Sequence, residues 1–520
     1  MSDRIVLTID GKEIEVEKGT SVLTAAGMLG LDVPRYCYHP GLTVAGNCRI
    51  CLVEIEKMPK LATSCTTTAA EGMVVRTSGA KVEDGRRRAV MEFLLANHPL
   101  DCPICDQAGE CRLQDYSFQH GRGGSRFEEE KLKGQKATPI GPHVVLDTER
   151  CIVCTRCVRF CDEVTGTGEL GVFQRGVRSM IGTFPGQELN NPYSGNTVDI
   201  CPVGALTLEE FRFKKRVWEL KDVSSVCGSC ARGCNVNLGT SDNKIWRMTP
   251  RENQAVNRWW MCDEGRLSYQ ALDATPRLTA ARIRKDGQTI ALPWPEALDL
   301  LATRLKEARP GKTAVIASAS LTLEDLHMVK RLFADMLPSA RIVVPGKFRG
   351  SDDALLIRAD KNPNAAGARL AGLTVDDDNR QLAVLLADAA AGKVDVLVVL
   401  GEEGLDLLEA GKNAFVCVFS PFISAAVENA DLALPAAAYG EFEGTWVNFQ
   451  GRAQKVRRAV ISRSVALEGW QLMTELMRRL GAEAPHKKAA DVLAEIAATV
   501  PGLSLLTPKT IGSTGVQVPA

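Results

Sequence analysis

Sixteen of the 17 cysteines lie between residues 37 and 262, and fifteen of them, with His98, make four groups whose spacings suit iron–sulfur ligation. Cys37, Cys48, Cys51 and Cys65 are separated by ten, two and thirteen residues. His98, Cys102, Cys105 and Cys111 have gaps of three, two and five. Cys151, Cys154 and Cys157 form C-x₂-C-x₂-C, and Cys201 follows after 43 residues. Cys227, Cys230, Cys234 and Cys262 have gaps of two, three and 27. Thiolates are the usual ligands of iron–sulfur clusters, and four sets of four donors in one chain point to a path for single electrons rather than one reaction centre.

The elements that must position these donors can be read around them. The opening IVLTID, Gly11-Lys12 and EIEVEKG predict a β-hairpin, then a helix over SVLTAAGMLG capped by Thr20 or Ser21, the cysteine loop, and a strand CLVEIE at 51–56. GRRRAVMEFLLANHP predicts a helix with an apolar face of Val90, Phe93, Leu94 and Leu95, stopped by Pro99. His98 at its end reads either as a cap or surface residue, or as the fourth donor of a group otherwise one short. We take it as the donor. Residues 119–147 are glycine-rich and charged and predict a surface loop, with Arg122 and Arg126 simply solvated.

Beyond residue 276 the cysteines stop except for Cys417, expected in the core. Apolar runs (TAVIAS, ARIVVPG, VDVLVVLG, NAFVCVFS) alternate with helices expected to be amphipathic, such as LEDLHMVKRLFADML, which predicts a mainly parallel sheet. Two further helices, EGWQLMTELMRRLG and AADVLAEIAATV, precede an end expected to be disordered. Gly401-Glu402-Glu403-Gly404 is not G-x-G-x-x-G, and no flavin, nicotinamide or phosphate-loop motif is visible.

Composition sets outer limits. A chain of 520 residues should hold several domains. Equal numbers of Lys+Arg and Asp+Glu, 63 each, give no basic surface for nucleic acid or anionic lipid. Mean hydropathy is −0.06. Neither a targeting segment nor an apolar run of membrane-spanning length is expected. Tight C-x₂-C groups in such a chain favour metal-bound thiolates over disulfides.

The motifs carry resemblances. GNCRICLVEIE resembles the loop of plant-type [2Fe–2S] ferredoxins, with the longer first gap found in iron–sulfur subunits of NAD-linked complexes. CIVCTRCVRFCDE with DICPVGAL resembles a bacterial ferredoxin module. Cys161 in it reads as a buried free thiol rather than a ligand. VCGSCARGCNVNLG with WWMCDEGR resembles the N-terminal [4Fe–4S] domain of molybdopterin oxidoreductases, zinc being the rival metal. PNAAGARLAGL and DLALPAAAYGEFEGTWVNFQGRAQ resemble the body of the same superfamily.

Together the four sets resemble the family of the large iron–sulfur subunit of NADH:quinone oxidoreductase, respiratory complex I. The resemblance implies a multidomain α/β chain. Residues 1–80 would form a plant-type ferredoxin β-grasp, 81–120 a helical His-Cys₃ domain and 140–216 a ferredoxin-like domain. Residues 220–277 would carry a fourth [4Fe–4S] set, 278–460 a truncated α/β body without pterin, and 461–520 helices and a tail.

It implies one [2Fe–2S] and three [4Fe–4S] clusters, held by the sixteen donors above. Partners would be the NADH-binding flavoprotein subunit and other peripheral-arm subunits, with the membrane arm reached indirectly and no nucleic acid. The setting would be the cytoplasmic side of the inner (plasma) membrane. The His98 and Cys151 clusters would lie on the main path with the [2Fe–2S] centre between them. The Cys227 cluster would lie off that path in a structural role. The alternatives are the equivalent subunit of a soluble NAD-linked hydrogenase, formate dehydrogenase or bifurcating complex, a stand-alone molybdenum or tungsten enzyme, and a body that serves only as an interaction scaffold.

Overall fold

The structure is a computed structural model describing residues 4–519, and the side chains of all of these but 84 and 85. Residues 1–3 and 520, the ends of the outermost expected domains, lie outside it. The chain divides into two compact units, residues 1–220 and 221–520.

The first unit opens with β1 (Arg4–Ile9) and β2 (Lys12–Glu17), the expected hairpin, in antiparallel register from Arg4↔Glu17 to Ile9↔Lys12. Helix α1 (Val22–Met28) follows, and of the two candidate caps Ser21 is used, its hydroxyl accepting from Thr24 N at 3.1 Å. With β3 (Leu52–Ile55), β4 (Ala62–Thr63) and β5 (Val74–Arg76) the strands form one mixed sheet in the order β2-β1-β5-β3-β4. Leu7, Ile9, Val22, Val53 and Val75 fill the space between α1 and this sheet, and Cys51 and Cys65 belong to the same core.

Two short helices come next, Arg88–Asn97 and Arg112–His120. The first packs Val90, Leu94 and Leu95 of its expected face against the core, but Met91 is its fully buried residue and Phe93 is 83% exposed. A wider π-type turn over Glu83–Arg87 precedes it. Residues 119–147 are not all loop, since Thr138–Pro139 is a strand paired with Val144–Leu146, which pairs in turn with Leu206–Leu208. Arg126 is ion-paired to Glu92 at 2.5 Å and Arg122 to Glu92 at 3.3 Å, rather than simply solvated.

The second unit starts with an antiparallel sheet of Lys221–Val226, Asn235–Ser241 and Lys244–Pro250. Its body is an eight-stranded sheet in the order Gln288–Leu292, Ala281–Lys285, Leu432–Pro435, Phe415–Ser420, Val396–Leu400, Thr313–Ala317, Arg341–Pro345, Val375–Asp376. From Leu432–Pro435 to the far edge every pairing is parallel, and only Ala281–Lys285 pairs antiparallel with its neighbours. The central strands are covered on both faces, which is why they read as unbroken apolar runs.

Two expectations fail here. The helix Leu323–Lys330 is not amphipathic: Leu323 through Val329 are all buried. Its polar residues find partners instead, Glu324 accepting from Thr445 and Asp325 from Trp470 N and Thr322 N. The chain end is ordered, with helix Pro508–Ile511 and strand Val516–Gln517 paired to Arg452–Val456.

Candidate functional site

Cys37 and Cys48 lie in the loop between α1 and β3, Cys51 immediately precedes β3, and Cys65 follows β4. The sulfurs of Cys51 and Cys65 are 3.4 Å apart. Cys37 is hydrogen-bonded to both Cys48 and Cys65, and these contacts hold its thiol far below the usual range. Tetrahedral metal–thiolate bonds of about 2.3 Å put two sulfurs about 3.7 Å apart, so Cys51 and Cys65 are spaced to share one iron. The contacts run as a chain, Cys48–Cys37–Cys65–Cys51. Among the described residues, no three His, Cys, Asp or Glu side chains close around a point as a lone ion requires.

Cys151, Cys154, Cys157 and Cys201 line one apolar cavity with Leu146, Ile152, Ile181, Val203, Ala205 and Leu206. Burial pushes the Cys154 thiol up to about 11 and Cys151 up to about 12. Backbone N–H groups oppose burial: Val153 N donates to Cys151 Sγ at 3.3 Å, and those of Val203, Leu206 and Ala205 face Cys201. Val153 and Thr155 hold left-handed φ of 50° and 62°, as Arg49 does at 58° between Cys48 and Cys51. L-residues pay about 1 kcal/mol or more for that conformation. It turns successive N–H groups inward as an anion-binding nest, which suits a cluster with anionic ligands.

Cys102, Cys105 and Cys111 face one another, and burial raises the Cys111 thiol to about 11. A Cβ on Gly204 would meet Cys105 Sγ at 2.3 Å, so glycine lets the Cys201 loop press against this set. His98 follows helix Arg88–Asn97 as its cap. Its Nδ1 is buried without a hydrogen-bond partner, and burial lowers its pKa to about 4, leaving a neutral imidazole as ligation demands. Among the described residues no hydrogen bond joins it to the three thiols. It lies beside Asp101 and Arg150, and Arg150 in turn faces Cys105.

In the second unit Cys227 follows the first strand of the small sheet, Cys234 precedes the second, and Cys262 caps helix Asp263–Leu267, accepting from Gly265 N at 3.3 Å. Cys230, Cys227 and Cys262 surround the buried Cys234. A Cβ on Gly265 would lie 2.9 Å from Cys227 Sγ and 3.4 Å from Cys262 Sγ, so the space beside these sulfurs is kept clear.

Three of the four sets share a core. Cys37, Cys48, Cys111, Cys151, Cys154 and Cys201 belong to one apolar cluster with Tyr36, Ile50, Met91, Leu113, Tyr116 and Val203. Tyr36 lies near both Cys48 and Cys111, with its hydroxyl 3.4 Å from Met91 Sδ and its ring edge-on to Tyr116 at 5.4 Å. Spacing alone did not single out Tyr36, Gly204 or Arg156, which carry no motif signal. Cys161 and Cys417 are both fully buried, and Cys417 lies within strand Phe415–Ser420.

The body has a cavity of about 300 Å³ at the carboxyl ends of the parallel strands, where open α/β sheets bind their ligands. Its lining offers Asp325, Glu403 and Glu468 against one lysine, Lys347, already paired to Glu402 at 2.9 Å. That charge pattern does not fit the pyrophosphate of a pterin dinucleotide.

Comparison with known proteins agrees along the chain. Residues 2–80 match a 2Fe-2S iron-sulfur cluster binding domain and 87–126 the NADH-ubiquinone oxidoreductase-G iron-sulfur binding region. Residues 141–207 match the ferredoxin-like domain of NADH-quinone oxidoreductase subunit 3. Residues 220–274 match the molybdopterin oxidoreductase Fe4S4 domain, and 347–479 molybdopterin oxidoreductase. The NADH-quinone oxidoreductase G subunit of Rickettsia felis is 43% identical over 328 residues, which is 63% of this chain and 48% of the relative. The G subunit of Streptomyces coelicolor is 40% identical over 359 residues, 69% and 42% respectively. The matches thus span about half the length of these bacterial relatives. The mitochondrial NADH-ubiquinone oxidoreductase 78 kDa subunit of Candida albicans is 30% identical over an alignment of 622 positions, covering 96% of this chain and 86% of the relative. A solved chain of an NAD+-reducing [NiFe]-hydrogenase overlaps 41% of this chain at 29% identity, with a TM-score of 0.37. With four cysteine-rich sets in this order and a relative matched almost end to end, the chain belongs to the family of the NADH-quinone oxidoreductase G subunit and its mitochondrial 78 kDa counterpart.

Proposed function

We propose that the chain is an electron-relay subunit in the peripheral arm of respiratory complex I, passing single electrons from the NADH-oxidising flavoprotein subunit toward quinone. The observation that carries this reading is the apolar cluster in which thiols of three donor sets pack together. When bound, one [2Fe–2S] and three [4Fe–4S] clusters would supply the one-electron carriers.

The residues of the chain do the rest. Cys37, Cys48, Cys51 and Cys65 would hold the [2Fe–2S] cluster. His98 with Cys102, Cys105 and Cys111, the Cys151–Cys154–Cys157–Cys201 set, and the Cys227–Cys230–Cys234–Cys262 set would each hold a [4Fe–4S] cluster. The apolar surroundings exclude water, and inward N–H groups such as Val153 N and Gly265 N stabilise charge on sulfur. A neutral His98 removes one negative charge from its set and favours the reduced state there. No pterin takes part. The Cys227 set, built into the second unit, fastens the edge of that unit's fold rather than lying on the path. Among the described residues no helix is long and apolar enough to cross a membrane, so attachment to the membrane arm would come through other subunits.

Rapid-freeze EPR of the anaerobic chain mixed with the NADH-oxidising flavoprotein subunit and NADH tests this. Reduced iron–sulfur signals from the first unit are expected within turnover time. If NADH reduces none of them while dithionite reduces all, the relay reading is wrong.

A further inference from the structure

Arg156 stands inside the C-x₂-C-x₂-C run, between Cys154 and Cys157, and opens the short helix Arg156–Arg159. Its guanidinium reaches two donor sets at once. Nη1 donates to Ile200 O at 3.0 Å, the carbonyl just before Cys201. Nη2 donates to Tyr38 O at 2.5 Å, the carbonyl just after Cys37. Nε is shut off from solvent and has no partner.

Among the described residues Arg156 is in no ion pair with a carboxylate. The negative charges it faces come from thiols, Cys154 and Cys201 of one set and Cys37 and Cys48 of the other. Arg159 beside it is bound up with backbone carbonyls, donating to Cys37 O at 2.6 Å and Cys154 O at 3.4 Å. A guanidinium does not give up its proton in a protein. A cation largely withdrawn from water needs an anion nearby, and among the described residues the anions Arg156 faces are ionised sulfurs.

We propose that Arg156 is the shared counter-cation of the Cys37/Cys48/Cys51/Cys65 and Cys151/Cys154/Cys157/Cys201 sets, and that its fixed charge raises the reduction potential of the cluster at each. One electron added at either set adds one negative charge beside the guanidinium, with no proton taken up by Arg156. This rests on the reading that both sets hold clusters.

The test is an EPR-monitored redox titration of the full-length chain, anaerobically loaded with iron and sulfide, as wild type, Arg156→Gln and Arg156→Lys. In Arg156→Gln both midpoints should fall, so that at the wild-type midpoint the oxidised-to-reduced ratio rises at least about tenfold, a shift of about 59 mV for one electron. The His98 and Cys227 sets should not move. Arg156→Lys keeps the charge and should stay within about threefold of wild type at both sets. Unmoved potentials in a fully loaded Arg156→Gln chain, a shift at one set alone, or equal shifts in both variants would overturn the proposal. So would loss of both clusters from both variants, which would make Arg156 a folding staple. Absence of these clusters from the wild-type chain would instead overturn the relay reading itself.

Discussion

In residues 1–220 the thiols of three donor sets sit inside an apolar cluster with Tyr36, Met91 and Val203, so proposed ligands and core are one population of side chains. In residues 221–520 the main cores are built from the parallel strands and their covering helices, and Cys417 is their one cysteine among the described residues. The four proposed ligands there hang from the ends of a small sheet and one helix cap. The contrast separates two uses of a cluster. In the first unit the core and the proposed electron path are the same object, and in the second the fold has a core of its own.

Removing iron should separate the two regions most sharply. Structural metal sites contribute on the order of 10 kcal/mol to folding. Anaerobic chelation of the loaded chain, followed by hydrogen exchange, should release protection throughout residues 4–220. In the second unit it should release it only near 227–267, with the parallel strands still protected. Equal loss in both would erase the distinction.

A core truncation should do the reverse. Phe419 is 2% exposed in a central strand, and Phe419→Ala should cost about 3–5 kcal/mol. Calorimetry should show the second unit melting earlier, while EPR signals of the first unit persist.

Acidity offers a subtler handle on the second unit. Burial pushes Glu324 up from 4.5 to about 7, against hydrogen bonds from Thr445. Between those values the folded state keeps a proton that the unfolded chain releases. Stability conferred by the protonated form is therefore present below pH 4.5 and lost as pH rises through 7, by roughly 3 kcal/mol at most. Glu324→Gln should flatten that slope in denaturant titrations run across this window; an unchanged slope would assign the effect elsewhere.

At His98, replacement by Cys should keep a cluster and lower its potential by on the order of 100 mV, as imidazole-for-thiolate exchange does in reverse in Rieske centres. An unchanged potential would show that His98 is not bound. The smallest effect is expected at Phe93, 83% exposed, where Phe93→Ser should stay within about 0.5 kcal/mol of wild type in thermal melts. By contrast Met91→Ala, in the shared core, should cost about 2–5 kcal/mol.

Much of this was legible in the chain because donor spacing is local. C-x₂-C runs, the Gly11 turn and unbroken apolar strands such as Val396–Leu400 all show within a dozen residues. What stayed hidden depends on distant pairing. Phe93 has the period of its core-facing neighbours Val90 and Leu94, yet it lies at the edge of that face and is exposed. Glu324, Asp325 and His327 read as a solvated stripe because Thr445, Trp470 and Glu495, which satisfy them, lie more than a hundred residues away. Arg156 carries no signal of its own in the sequence, because Tyr38, which accepts from it, lies 118 residues earlier.

The most direct test of the central claim is iron and acid-labile sulfide quantitation, with EPR spin counting, on the anaerobically prepared full-length chain. One [2Fe–2S] and three [4Fe–4S] clusters predict about 14 irons per chain, with a matching count of sulfides. Zinc in place of iron, or disulfides among the sixteen donors with no labile sulfide, would contradict it.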